Sequence, residues 1–405
     1  MSISPQGPEL RPLDVRPFVQ YGQPHLYLRD PLQLSDRVVV LPRYLGALLL
    51  LCDGTRAADS LRAELLTRFG LPVSADIVAR VLSVLDEAFL LNNDHFRAAQ
   101  ARRLQDYRAA PFRPPALAGQ SYPAAAGDLF RLLNDYLEGA SEVEPASPPG
   151  RGLLSPHIDY ARGGPVYAQV WKRAAETART ADLAILFGTD HFSDRLINLT
   201  RQHYATPYGV LPTDQAIVDE LADALGPDAA FGGELRHRTE HSLELVLVWL
   251  HHLRAGKPIT VIPILTGSFA HFVQGDQRPQ DDPTLQTLLD TLRRVTAGRR
   301  TIVVASGDLA HIGPAFGGEP VDAGGRSALQ AADAELMRLM GQGDAEGFFG
   351  AIRRVRDRNN VCGVSPVYLT LRYLESAQGE AFGYDHCPAD EAGASLVSVC
   401  GMTFA

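Results

Sequence analysis

Beyond residue 152 the chain alternates two kinds of apolar pattern, and that alternation limits what it can fold into. Short β-branched or apolar runs fall at 152–155, 182–187, 258–265, 300–306 and 394–403. Longer runs with helical spacing lie at 165–179, 213–225, 241–254, 284–297, 326–341, 344–354 and 366–376. A period near two reads as strand and a period near 3.6 as helix. Strands interleaved with helices predict an α/β domain whose central mixed, largely parallel sheet is flanked by helices. In open sheets of this kind ligands sit outside the carboxyl ends of the strands. The residues that follow each short run are therefore the ones to inspect.

Those residues are polar, and they repeat one design. Leu153-Leu-Ser-Pro leads into His157, Ile158, Asp159 and Tyr160. The run Leu183 to Phe187 ends in Gly188 and then presents Asp190 and His191. Val303-Val-Ala-Ser-Gly leads into Asp308 and His311. Arg238-Thr-Glu-His-Ser-Leu-Glu244 opens a long helix, where His241 and Glu244, three apart, share a face. Asn359-Asn-Val-Cys-Gly363 precedes a helix with Ser365 at its cap and Pro366 at its first position.

Taken singly, each histidine reads as a packed or surface residue, and Cys362 as a small buried hydrophobe. Taken together, strands that are parallel neighbours bring His157, His191, Asp308 and His311 to one edge. Imidazole suits zinc, copper and iron, and a thiolate favours softer ions. Two His and one Cys leave a tetrahedral ion an open position. A Cys362 close to a helix N-terminus has its thiolate favoured by the dipole.

The first part of the chain is different. Residues 1–24 are proline-rich and polar and read as a lead-in. Residues 25–43 predict a small hairpin, 43–52 a core helix, and Asp53-Gly54-Thr55 a turn. Apolar spacing predicts helices over 58–69 and 74–89, the second opened by Ser74 as N-cap. This order, with Leu51-Cys-Asp-Gly-Thr55, resembles the small winged-helix domains of the PqqD-like type. That likeness implies an α+β winged-helix-like domain over 25–110 and a peptide partner for it. A charged helix over 95–111 and prolines at 111, 114 and 115 place a boundary before a second domain at 116–405.

Several function classes lose support. A net charge of -9 and no dense basic face over 58–91 argue against nucleic acid. The longest apolar run, Tyr44 to Cys52, falls well short of the roughly 18 residues of a membrane span. The N-terminus lacks a basic region followed by an apolar one, and four cysteines make no disulfide framework, so the cytoplasm is the expected location. Trp171 and Trp249 read as core, and His386-Cys387-Pro388 as part of a late loop.

From residue 116 onward the chain resembles the Memo family, which includes the bacterial AmmeMemoRadiSam system protein B. The likeness rests on seven segments in order: Leu117-Ala-Gly-Gln-Ser-Tyr-Pro123, Ser155-Pro-His-Ile-Asp-Tyr160, Phe187-Gly-Thr-Asp-His191, Thr206-Pro207 with Asp214-Gln215, Glu240-His-Ser-Leu-Glu244, Ser306-Gly-Asp-Leu-Ala-His311 and Val361-Cys-Gly363. It implies a fold like that of LigB-type class III extradiol dioxygenases. It also implies a metal site of His157, His191 and Cys362, taking iron or copper, with zinc as a further candidate. Asp308 and His311 form the adjacent polar pair, with His241 and Glu244 nearby. Asp190, Glu244 and Tyr160 would support the ligands. The chain departs from the family pattern at Ile158-Asp159, which adds a carboxylate beside His157, and at Asp190-His191-Phe192, which keeps only one of the family's two adjacent histidines. The added carboxylate would favour an oxidised ion over reduced copper, or serve as a base.

Three functions follow as expectations. The first is a metal-dependent, dioxygenase-like oxidoreductase acting on a small molecule or peptide, with Asp308, His311, His241 and Asp159 as its catalytic groups. The second is a zinc-dependent hydrolase with Asp159 or Asp190 as base. The third is a metal- or peptide-binding module without turnover, in a peptide or radical-SAM-associated modification system.

Overall fold

The computed structural model describes residues 7–193 and 195–405. Contacts divide the chain into two compact units, one ending at Ala109 and the other running Ala110–Ala405.

The smaller unit opens with three antiparallel strands, β1 (Asp14–Gln20), β2 (Gln23–Arg29) and β3 (Val39–Pro42), in that order. The expected hairpin is the β2–β3 pair, with His25 opposite Pro42. The lead-in is shorter than the sequence implied, because β1 occupies part of it. Mostly exposed and interrupted by Pro17, β1 shows no alternation to read, and an edge strand tolerates the proline. Helices follow at Gly46–Leu51, Ala58–Phe69, Ala75–Glu87 and Asp94–Ala109. Ser74 caps the third by accepting from Ile77 N–H at 3.3 Å. Leu28, Leu48, Leu61 and Leu85 are fully buried between the sheet and these helices.

The larger unit is built on a sheet of eight strands. In chain order its regular strands are β4 (Gly152–Ser155), β5 (Leu183–Thr189), β6 (Ile197–Leu199), β7 (Tyr204–Thr206), β8 (Gly209–Leu211), β9 (Thr260–Thr266), β10 (Thr301–Ser306), β11 (His311–Ile312), β12 (Gly379–Pro388) and β13 (Leu396–Phe404). The centre, β4-β10-β5-β9, is parallel, whereas β6, β11, β12 and β13 are antiparallel additions at its sides. β7 and β8 pair apart from it.

Parallel strands covered on both faces are apolar on both. Here Leu183, Ile185 and Phe187 enter one cluster, while Ala184 and Leu186 enter the other. The helix Ser242–Leu253 is buried all round, as its uniformly apolar character requires. Trp171 and Trp249 are buried as expected.

Two boundaries moved for local reasons. The helix expected from Pro165 starts at Tyr160, because Asp159 caps it by accepting from Arg162 N–H at 3.1 Å. The helix after Cys362 starts at Val364 with Gly363 as its cap, so Ser365 and Pro366 lie inside its first turn. The His386-Cys387-Pro388 stretch, expected in a loop, ends β12 instead. Among the described residues no helix is long and apolar enough to cross a membrane.

Candidate metal centre

The sheet register sets the site. Ser306 at the end of β10 lies opposite Ser155 of β4 and Gly188 of β5, so three parallel strands finish level with one another. Two residues past β4 comes His157, just past β5 come Asp190 and His191, and two past β10 comes Asp308. The loop holding Cys362 reaches the same edge through a close backbone approach. A Cβ on Gly307 would lie 2.6 Å from Gly363 Cα, so glycine is required there. Gly363 N–H donates to Asp308 O at 2.9 Å and ties the loop to the end of β10.

The side chains converge. Cys362 Sγ lies 3.2 Å from His157 Nε2, and Asp308 N–H donates to that sulfur at 3.3 Å. His157 N–H donates to Asp308 Oδ1 at 2.8 Å, and the ring Nε2 lies 3.8 Å from Oδ2. The rings of His157 and His191 are 5.0 Å apart, those of His157 and His241 5.3 Å, and those of His191 and His241 4.8 Å. Two overlapping groups, His157-His191-His241 and His157-Asp308-Cys362, each have their ligand atoms within 4.8 Å of one another. The expected set of His157, His191 and Cys362 is neither of these groups but takes its members from both, and His191 and the Cys362 sulfur favour each other's charge.

Glu240 organises the exposed side of this cluster. Its carboxylate lies 3.1 Å from His191 Nδ1 and 3.0 Å from His241 Nδ1, and accepts from the backbone N–H of His191, His241 and Ser242. A carboxylate on Nδ1 fixes the ring and leaves Nε2 as the ligand atom. Sequence reading quoted Glu240 within a motif but gave it no role. The available signal was a carboxylate directly before a histidine at a helix start. Ser306 was also missed; its hydroxyl donates to Ser242 O at 2.6 Å and sits 3.5 Å from His157 Nδ1.

The electrostatics follow from burial and these neighbours. Burial, with His191 and His241 adding to it, lowers the pKa of His157 well below the usual value, so the imidazole is neutral. Burial opposes a charge on His191, but Glu240 and the Cys362 sulfur outweigh it and raise that pKa well above normal. Glu240 stays ionised in spite of its burial because His191 and His241 face it. Burial raises Cys362, against the pull of His191, so the expected helix-dipole gain for the thiolate does not dominate. Burial also raises Asp308 and lowers His311, each opposed by the other's charge.

Not every candidate points here. Asp159 caps the helix Tyr160–Arg173 and its charge is matched by Arg162, so it gives no ground for preferring an oxidised ion over reduced copper. Tyr160 is packed against Tyr167 and Trp249, its hydroxyl donating to Leu245 O at 2.6 Å. Glu244 does not join His241 at the cluster. His241 is the N-cap and the helix begins after it, so Glu244 turns to a buried pair with Arg113 and accepts from Tyr122 Oη–H at 2.5 Å. Asp190 stays near the cluster, held by Arg236 Nε at 3.2 Å and Asn198 Nδ2 at 2.9 Å. His311 opens β11 directly after the loop that follows β10, its Nδ1 3.3 Å from Leu309 O.

Comparison with known proteins agrees with the motif likeness. The sequence model of a family described as "Memo-like protein" matches residues 113–403. A MEMO1 family protein of Aquifex aeolicus is 27% identical over 406 residues, covering 98% of this chain and 99% of that relative, so the match takes in the smaller unit. A MEMO1 family protein of Methanosarcina acetivorans is 28% identical over 271 residues, 66% of this chain and 88% of the relative. One from Pyrococcus horikoshii is 25% identical over 287 residues, 67% and 91% respectively.

Proposed function

This chain belongs to the Memo-like family, and we propose that its larger unit is a mononuclear metal centre for redox chemistry, with His157, His191 and Cys362 holding iron or copper. The observation that supports it most directly is the sulfur. Cys362 Sγ lies 3.2 Å from His157 Nε2, and the His157 and His191 rings are 5.0 Å apart, a donor set suited to a first-row transition ion. The neutral His157 offers its lone pair without first losing a proton. When bound, such an ion supplies electron transfer and Lewis acidity.

The chain's own residues do the rest. Glu240 aims His191 and His241 and keeps their Nε2 atoms directed at the cluster. Asp308 and His311 handle protons: burial raises one and lowers the other, so their proton affinities approach each other. The substrate is a small molecule or a peptide. The smaller unit would present a peptide partner, and large apolar side chains left exposed there, such as Val19 and Tyr21, support that role.

The test is elemental mass spectrometry on protein purified without oxygen, beside His157→Ala and Cys362→Ser. Iron or copper near one per chain, lost in both variants, is expected. Zinc lost in the same way would move the reading to hydrolysis with the same ligands. No metal after reconstitution would leave a binding module.

A further inference from the structure

A pocket of about 230 Å³ opens beside the cluster, and His191 and Cys362 form part of its wall. Drug-sized ligands occupy pockets of roughly 300–1,000 Å³, so this one suits a smaller molecule. The rest of the wall is of two kinds. Phe269, Val273, Val361 and Val364 are buried apolar side chains. Asp190 and Asp357 are carboxyl groups, and among the described residues lining the pocket none is Lys or Arg.

The two carboxyls differ in what they already hold. Asp190 is engaged by Arg236, Asn198 and the backbone N–H of Phe192. Asp357 accepts one bond, from Val361 N–H to Oδ1 at 2.9 Å, and among the described residues no cation faces Oδ2. Burial without a compensating charge pushes its pKa up to about 6. The backbone holds it in place: Arg356 and Asp357 follow the helix Ala345–Arg354 with φ of +51° and +48°, where glycine is the usual residue. A half-buried carboxylate that lacks a cation, in an apolar pocket, is complementary to a ligand that brings one.

We propose that this pocket binds a small organic amine, its ammonium on Asp357 and its apolar body on Phe269 and Val273, beside His191 and Cys362. A carboxylate or phosphate seated on Asp357 would face that carboxyl, with His191 as the one basic side chain among the described lining residues. The amine as substrate rests on the metal reading above; the amine as ligand does not, so it is tested on metal-free protein. The probes are 2-phenylethylamine, 2-phenylethanol and phenylacetate, titrated calorimetrically into the full chain at pH 7.5. The amine is expected to bind at least about tenfold tighter than the alcohol, and the acid weakest, as for a charge-assisted contact. Asp357→Asn should bring amine and alcohol within about twofold, with an unchanged melting temperature showing that the fold is intact. Phe269→Leu should weaken both equally and keep the preference. Equal binding of amine and alcohol by the parent, an unaltered preference in Asp357→Asn, or no binding of any probe at millimolar concentration would overturn the proposal. An amine preference in protein that takes up no metal would sink only the redox reading, and metal uptake without the preference only this one.

Discussion

Glu240 and Glu244 sit four positions apart, both buried, and serve clusters of opposite kinds. Glu244 closes a set of groups that satisfy one another. It pairs with Arg113, accepts from the N–H of Ala116 and Leu117 at 2.7 and 2.8 Å, and takes the Tyr122 hydroxyl. Arg113 in turn donates to His237 O at 2.6 Å and Glu240 O at 2.9 Å. His237 beside it is neutral, with Tyr204 Oη 2.6 Å from one ring nitrogen and Asn198 O 2.8 Å from the other. Glu240 instead faces two imidazoles that gather with a third, His157, into a candidate ligand group. In the first cluster charged and polar groups bond one another, and it holds the 110–117 segment against the fold. The other brings three imidazoles, a carboxyl and a sulfur together as candidate ligands, which is how a binding centre differs from a structural knot.

The strongest way to break that contrast is Arg113→Ala. Removing one partner of a buried ion pair leaves an uncompensated charge and costs about 3–5 kcal/mol. Urea unfolding should show that loss, and a variant as stable as the parent would mean the pair is not structural. Glu240→Gln probes the other side. It should lower metal affinity by about 10–100-fold, as losing a histidine-orienting carboxylate does, while the unfolding midpoint moves far less than in Arg113→Ala. Competition against a chelator measures the first and urea the second. Equal destabilisation by both variants would erase the distinction.

The same contrast explains how much was legible in advance. The central strands were readable because sheets buried on both faces are written as unbroken apolar runs. The gathering of His157, His191, Asp308 and His311 was read from strand ends and glycine turns, whereas Cys362 was placed with them only through the family likeness. Side-chain direction was not legible. Asp159 reads as a carboxylate beside a ligand, but its position relative to Tyr160 makes it a cap. His241 and Glu244 are three apart, yet one precedes the helix and the other lies in it. Arg113 seemed part of a proline linker, because nothing in a sequence announces a partner more than a hundred residues away. β12 was hidden because its alternation is broken by a register shift between Ala381 and Tyr384.

A pH experiment sharpens the comparison on its histidines. Burial lowers His237 from 6.5 to about 3 in the folded protein, while the unfolded chain protonates it near 6.5. A depressed folded pKa gives stability that is whole above pH 6.5 and drains away as pH falls toward 3. Between pH 6.5 and 5 the loss is about 2 kcal/mol, at 1.36 kcal/mol per unit. His237→Gln removes this dependence, so the stability gap between parent and variant should narrow by about that much at pH 5. A constant gap would mean that His237 is protonated inside the fold, and that the cluster around Glu244 is less closed than its hydrogen bonds imply.

The smallest effect separates a cap from a catalytic carboxylate. Asp159→Ala should cost about 1 kcal/mol, typical of a lost N-cap, because Asp159 satisfies Arg162 N–H at the start of the helix Tyr160–Arg173. Metal content and metal affinity should match the parent, since the side chain turns to Arg162 and not to His157. Asp159→Ser, which can still cap, should recover most of the stability. If Asp159→Ser regains stability but metal affinity drops in both variants, the carboxylate reaches the centre after all. The family departure at this position would then be functional and not local helix chemistry.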